Sequence, residues 1–318
     1  MHAWPRSGSP QGPVAGPDVA RVLLAFDEEA ERVSATALAE ALQAPLVFVR
    51  RHHFPDGETR LTLPPSLPPE VVVLRGLHDP NAKLTELLLA AAGARELGAR
   101  RLTLVCPYLA YMRQDIAFNP GEVVSQRHIG ALLAQAFDAV VTVDPHLHRV
   151  ATLDEVLPGR RGVAVSAAPL LGRFVAGRVP GALLLAPDEE AARWVQAAAA
   201  AAALDHAVCL KQRRGDHDVE VSLRGAPLAG RAVVILDDVA STGRTLSAAA
   251  RQALAAGAAS VDVAVTHALF VGDAWEHVAG AGVRHVWSSD CVPHASNVVG
   301  VSGLLAQALR QISGDRPV

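Results

Sequence analysis

Short runs of apolar, largely β-branched residues alternate with alanine-rich helical stretches along nearly the whole chain, and that rhythm leaves few folds open. Residues 22–26, 46–49, 71–74, 102–106 and 139–143 read as strands, with helices over 28–42, 82–97 and 125–136 among them. The second half repeats the design, with strands at 183–186, 207–210, 232–236, 261–265 and 283–286 and helices at 246–254 and 303–312. Strands separated by helices predict parallel sheets covered on both faces, so the fold class is α/β. Half of the residues are hydrophobic and only 4% aromatic, which means the core is built from Ala, Val and Leu. A length of 318 residues suits two domains of about 150. A faint internal repeat agrees: residues 96–108, ELGARRLTLVCPY, align without gaps with residues 255–267, AAGAASVDVAVTH, placing Gly98 against Gly257.

The expected organisation is a disordered leader over residues 1–19, rich in Pro, Gly and Ser, an N-terminal domain over 20–152, a C-terminal domain over 153–302, and a closing helix and tail over 303–318. The leader lacks the apolar core of a secretory signal, and the alanine run at 197–203 is too short to span a bilayer. A net charge of −3 with no Lys/Arg run excludes a nucleic-acid partner, and neither feature suggests a membrane. Cys106, Cys209 and Cys291 lie far apart with no Cys-x-x-Cys spacing, so each is expected to pack as a small apolar side chain in a cytoplasmic protein.

The densest chemistry lies in residues 231–251, RAVVILDDVASTGRTLSAAAR. An apolar strand is expected to stop at Asp237 and Asp238, Ser241, Thr242, Gly243 and Thr245 to form a hydroxylic loop, and a helix to follow. Unpaired N–H groups at a helix N-terminus attract an anion, and glycine lets the backbone approach it closely. Two carboxylates beside a phosphate need their own partner, a ribose diol or a solvated Mg²⁺, so a sugar phosphate fits better than free phosphate. The plainer alternative is that Asp237, Ser241 and Thr242 merely cap the helix.

Other polar clusters follow strands. Phe54-Pro55-Asp56-Gly57-Glu58 opens a hairpin over 54–63, or is a turn anchored by one aromatic. Residues 107–115, PYLAYMRQD, sit at a strand end, where open α/β sheets bind ligands. His146 could bind a metal or a phosphate, or serve the structure alone. Lys211 and Arg213 form a basic segment that is either catalytic or a solvated turn.

Taken together, FPDGE at 54–58, Pro107-Tyr108 with Arg113-Gln114-Asp115, Val143-Asp144-Pro145-His146, Ala186-Pro187-Asp188, Lys211-Gln212-Arg213 and Asp237-Asp238 through Thr245 resemble, in order and spacing, the ribose-phosphate diphosphokinases, or PRPP synthetases, relatives of the type I phosphoribosyltransferases. The resemblance covers about residues 20–310 and implies two phosphoribosyltransferase-like domains. It further implies transfer of the diphosphoryl group of ATP to the 1-hydroxyl of ribose 5-phosphate, with Mg²⁺ as cofactor. By the same resemblance Lys211 and Arg213 are catalytic. Phe54, Asp56, Glu58, Arg113, Gln114 and Asp115 bind ATP, the hairpin reaching into a neighbouring copy of a homo-oligomer. Asp237, Asp238, Ser241, Thr242, Gly243 and Thr245 hold ribose 5-phosphate, and His146 and Asp188 the metal. A phosphoribosyltransferase, or a non-catalytic subunit that regulates a true synthetase, is the alternative. The chain departs from the family at Glu189 and Glu190, where small residues are usual, and at Arg244, and the new charges at 190 and 244 are expected to compensate each other.

Overall fold

The computed structural model of the chain describes residues 21–213 and 219–314, so the expected leader lies outside the described residues. Two seven-stranded sheets organise them. The first comprises β1 (Arg21–Phe26), β2 (Leu46–His53), β3 (Thr59–Thr62), β4 (Glu70–Leu74), β5 (Arg101–Cys106), β6 (Ala139–Val143) and β7 (Arg161–Val165). Helices α1 (Glu29–Leu42), α2 (Pro80–Glu96) and α3 (Ser125–Ala136) connect them. The second comprises β8 (Leu183–Ala186), β9 (Asp205–Arg213), β10 (Val219–Gly225), β11 (Ala232–Ala240), β12 (Ser260–Ala268), β13 (Val283–Ser289) and β14 (Asn297–Val299). Its helices are α4 (Ala168–Arg178), α5 (Ala192–Ala202), α6 (Arg244–Ala255) and α7 (Ala274–Ala279), and α8 (Ser302–Ser313) ends the described chain.

The orders β3-β2-β1-β4-β5-β6-β7 and β10-β9-β8-β11-β12-β13-β14 are the same permutation. Every pairing is parallel except β2 with β3 and β9 with β10, the hairpin at the same edge of each sheet. The internal repeat therefore has a structural meaning: β5 and β12, which carry it, occupy the same place in the two sheets. Gly98 and Gly257 both adopt positive φ between helix and strand, a conformation an L side chain adopts only under strain.

Period-two alternation sorts each strand's side chains to opposite faces. In β1, Val22, Leu24 and Phe26 join α2 and α3 residues such as Leu87 and Leu133, while Leu23 and Ala25 face Leu38 of α1. In β11, Val233 and Ile235 pack on Leu246 and Ala253 of α6, and Val234 and Leu236 on Leu171 and Val195 of α4 and α5. Close helix packing needs small residues: a Cβ on Gly172 of α4 would fall 2.3 Å from the Ala198 carbonyl of α5.

Four expectations change. The boundary at 152 falls inside the first sheet, because β7 pairs with β6 from Ala139–Arg161 to Val143–Val165. The helix α8 packs on that first sheet: Leu305 and Leu309 lie with Val105 and Val141, and Arg310 donates to the Ala41 carbonyl at 2.9 Å. The strand β11 does not stop at Asp237, because its partner β12 keeps offering ladder positions as far as Ala240–Ala268. Lys211 and Arg213 stand within β9 opposite Val221 and Val219 rather than after a strand.

The sheets meet at their carboxyl ends through Asp144, just past β6, whose φ is +35°. Its Oδ1 accepts from Trp194 Nε1 at 2.9 Å, and its Oδ2 from Thr266 Oγ1 and the Ala167 N–H, both at 2.9 Å. Beside it the buried His267 ring nitrogen approaches the Val143 carbonyl at 3.0 Å. Asp144→Asn turns one acceptor oxygen into an NH₂ that confronts these donors. It is expected to cost about 1–3 kcal/mol of stability, read as a lower urea midpoint by tryptophan fluorescence; an unchanged midpoint would remove Asp144 from this role.

Candidate active site

Where the two sets of strand ends face each other a cavity of about 140 Å³ opens. From the first sheet's side come Arg113, His146 and His148; from the second come Asp188, Glu190, Asp237, Asp238 and Thr245. Four carboxylates thus confront one guanidinium and two imidazoles. Within the cavity a direct bridge between the halves runs from His146 Nδ1 to Asp238 Oδ2 at 3.0 Å.

Neighbouring carboxylates in one buried place cannot both ionise freely. Burial, followed by the charges of Asp238 and Asp188, pushes the Asp237 carboxyl well above the usual range. Burial works in the same direction on Asp238, but the His146 hydrogen bond and charge outweigh it and hold that carboxyl below its ordinary value. One member is therefore poised to keep its proton and the other to stay charged. Burial, with the adjacent His146, also lowers His148.

The loop after β11 resolves the question of capping. The N-cap of α6 is Gly243 at φ +69°, and no side chain hydrogen-bonds to the cap. Asp237 instead accepts from the Asp238 N–H at 2.9 Å. The first turn of a helix has N–H groups with no partner inside the helix, and an anion can satisfy them. Glycine is required there by crowding as well as by φ, since a Cβ would lie 2.8 Å from the Ala274 carbonyl. Thr242 and Thr245 are exposed beside this turn, and Ser241 is half-buried.

Other expected residues stand elsewhere. Asp115 is buried and accepts from Arg149 at 2.8 Å, and Gln114 Nε2 donates to the Ile116 carbonyl at 3.1 Å; neither lines the cavity. Phe54, Asp56 and Glu58 form an exposed turn closed on itself, with the Phe54 N–H on the Glu58 carbonyl at 2.8 Å. The side chains of Lys211 and Arg213 lie outside the described residues. Asp188 lines the cavity and also accepts from the Ala191 N–H at 3.1 Å, at the start of α5. The basic neighbour of Glu190 is His148 at 3.9 Å, whereas Arg244 lines a separate surface depression with Arg251 and His277, so the expected compensation between 190 and 244 is not what the geometry offers. Sequence reasoning missed Trp194 and Thr266 altogether. Their partner Asp144 was visible only as part of a motif.

Comparison with known proteins gives a consistent picture. Residues 23–136 match the family model for the N-terminal domain of ribose phosphate pyrophosphokinase, and residues 181–301 that for the phosphoribosyl transferase domain. A ribose-phosphate pyrophosphokinase of Methanopyrus kandleri is 34% identical over 281 residues, 87% of this chain and 95% of that one. One from Saccharolobus solfataricus is 36% identical over 256 residues, 78% of this chain and 86% of that one. The crystal structure of phosphoribosylpyrophosphate synthetase from Mycobacterium smegmatis, 22% identical, superimposes with a TM-score of 0.77 over 93% of this chain and 99% of that one, a likeness of fold.

The raised Asp237 carboxyl has a consequence for stability. A carboxyl raised in the folded state favours folding fully below the ordinary aspartate value of about 3.9, and that benefit is lost as pH rises toward the folded value. Asp237→Asn cannot ionise, so at pH 7–8 its melting temperature should exceed wild type by about 2–4 °C, with the gain fading near pH 4. A scan showing no gain at neutral pH would contradict this.

Proposed function

The chain belongs to the ribose-phosphate pyrophosphokinase family, and from that membership we propose that it transfers the diphosphoryl group of ATP to the 1-hydroxyl of ribose 5-phosphate, giving 5-phosphoribosyl 1-diphosphate and AMP. The observation that carries this reading is the shared cavity, where Arg113 and His146 of one half meet Asp237, Asp238 and Thr245 of the other. Diphosphoryl transfer needs a sugar hydroxyl held in line with the β-phosphorus and charge neutralised around it, so two substrate sites must adjoin.

In this reading the α6 N-terminus, Ser241, Thr242, Gly243 and Thr245 receive the 5-phosphate, and the charged Asp238 accepts from the ribose diol beside Asp237. Arg113 pairs with the phosphates of ATP. Lys211 and Arg213, on the edge hairpin β9–β10, bring cationic charge to the transferring group. A cavity lined by four carboxylates repels phosphates unless cations intervene, which fits Mg²⁺ held by His146 and Asp188; bound there, it supplies the positive charge the triphosphate requires. Gln114 and Asp115 secure the segment that carries Arg113. The exposed Phe54, with Asp56 and Glu58, is offered to the adenine end of ATP in a second copy, so the working unit is a homo-oligomer. Arg113 in the cavity also disfavours a plain phosphoribosyltransferase, which needs no ATP site. No described helix is long and apolar enough to cross a membrane, in keeping with a cytoplasmic enzyme.

Incubating the purified protein with ATP, ribose 5-phosphate and Mg²⁺ should yield AMP in step with a new diphosphate ester. Release of ADP, or ribose 5-phosphate binding without turnover, would overturn the proposal. Arg113→Ala should lower kcat/KM for ATP about 100-fold while leaving ribose 5-phosphate binding near wild type by calorimetry.

A further inference from the structure

A second cavity opens at the junction of the two halves, about 490 Å³ against about 140 Å³ for the candidate active site. His78, Asp79 and Asn81 enter it from the approach to α2 and its first turn, Tyr108 and Tyr111 from the segment after β5, and His294 from the loop before β14. None of these six lines the first cavity, and the proposed reaction gives them no task. Clefts of roughly 300–1,000 Å³ walled by rings, with a few convergent polar groups, are the usual form of a small-molecule site.

The lining selects a class of ligand by its charge. Among the described residues that form it there is no lysine or arginine, and Asp79 is the only acidic side chain. Burial, then the Lys83 ammonium, depresses His78 to about 4, and burial lowers His294, so both imidazoles are neutral at pH 7. Lys83 itself, 2.7 Å from His78 Nε2, is already held by Glu28 and Glu31 at 3.6 Å each. A phosphate therefore finds no free cation here. A flat ring finds aromatic faces to stack on. Asn81 Oδ1 accepts from the Tyr111 hydroxyl, which leaves the Asn81 amide NH₂ as a donor. Asp79, which precedes α2, makes no hydrogen bond to the helix cap, so its carboxylate is left as an acceptor.

We propose that this cavity binds an uncharged planar heterocycle bearing both donors and acceptors, a nucleobase or nucleoside, at a place separate from the ATP and ribose 5-phosphate sites. Backbone strain supports the assignment. Asp79 at φ +51° and Tyr111 at φ +66° line the cavity, and Phe270 at φ +37° stands between the lining residues Leu269 and Val271. These are three of the six non-glycine residues with positive φ among the described residues, and such strain gathers at ligand clamps. The His294 ring is steadied by Phe270 and Trp275, at centroid distances of 5.0 and 5.2 Å. The cavity also communicates with the first one. Tyr108 meets the His267 ring at 5.0 Å, His267 reaches the Val143 carbonyl beside Asp144, and Tyr111 lies two residues before Arg113. A ligand resting on the two tyrosines thus bears on the segment that carries Arg113, which makes the site regulatory.

The test titrates the full-length protein, without ATP, ribose 5-phosphate or Mg²⁺, with adenosine and with guanosine by calorimetry. The expected result is saturable binding of at least one of them, weakened about tenfold in Asn81→Ala and in His294→Ala, both confirmed folded by circular dichroism. Phe54→Ala and Arg113→Ala should bind it as wild type does, which separates this cavity from the adenine end of the ATP site. Absence of saturable binding at millimolar nucleoside, or full-strength binding in both cavity variants, overturns the proposal. Loss in Phe54→Ala or Arg113→Ala instead would return the nucleoside to the ATP site and overturn it equally. No turnover is measured, so this outcome stands apart from that of the diphosphoryl-transfer assay.

Discussion

The carboxylate of Asp144 is the joint on which the functional geometry depends. It is buried, it leaves β6 in the left-handed region, and it accepts one hydrogen bond from its own half and two from the other. A non-glycine residue at positive φ costs about 1 kcal/mol or more, and three donors to a buried charge compensate for it. The consequence is directional. With Asp144 fixed against Trp194 and Thr266, His146 two residues later emerges over the C-terminal part of β11, where it meets Asp238. The cavity is the space this joint leaves between two sheets whose carboxyl ends would otherwise face solvent.

Two halves of one topology have been put to different uses. At the end of β4, the counterpart of β11, stands the fully buried Arg75, bonded to Glu28 at 2.8 Å and Glu31 at 3.3 Å and near Glu86. Burial opposes the charge on Glu28, but Arg75 and Lys83 hold its carboxyl low, while burial keeps that of Glu31 raised; burial and Lys83 depress His78 to about 4. Charge there is closed upon itself. In β11 the corresponding position carries Asp237 and Asp238, which share the cavity with Asp188 and Glu190 against Arg113, His146 and His148, so that carboxylates outnumber the cationic groups among the lining residues. Fold supplies the strand ends, and side-chain charge decides which of them is a site.

The chain's end serves the same purpose as the joint. After completing the second sheet it returns as α8 to cover the open face of the first, with Arg101 donating to the Ile312 carbonyl at 2.9 Å. A segment that belongs to one half by sequence thus ties both together, which accounts for why a boundary drawn along the chain does not match one drawn through the core.

Strand and helix alternation, the α/β class, the duplication and the order of the polar motifs were legible in the amino acids, because each rests on local periodicity or on residues adjacent in the chain. Elements with weak local signals were not: β7 (RGVAV) and β14 (NVV) are short and half-exposed, and become strands through their neighbours. The reach of β11 beyond its aspartates was hidden for the same reason, since β12 rather than the Asp pair sets where the ladder ends. Arg113, His146, Asp188 and Asp238 could be nominated from their motifs, but their meeting in one cavity, the withdrawal of Asp115 to Arg149 and the turning of Glu190 toward His148 rather than Arg244 could not. Sequence by itself determined which local structures and chemical groups this protein has. Only tertiary structure decided which of those groups share a space, because contacts such as Asp144 with Thr266 join residues more than a hundred positions apart, and no local pattern encodes a distance across two sheets.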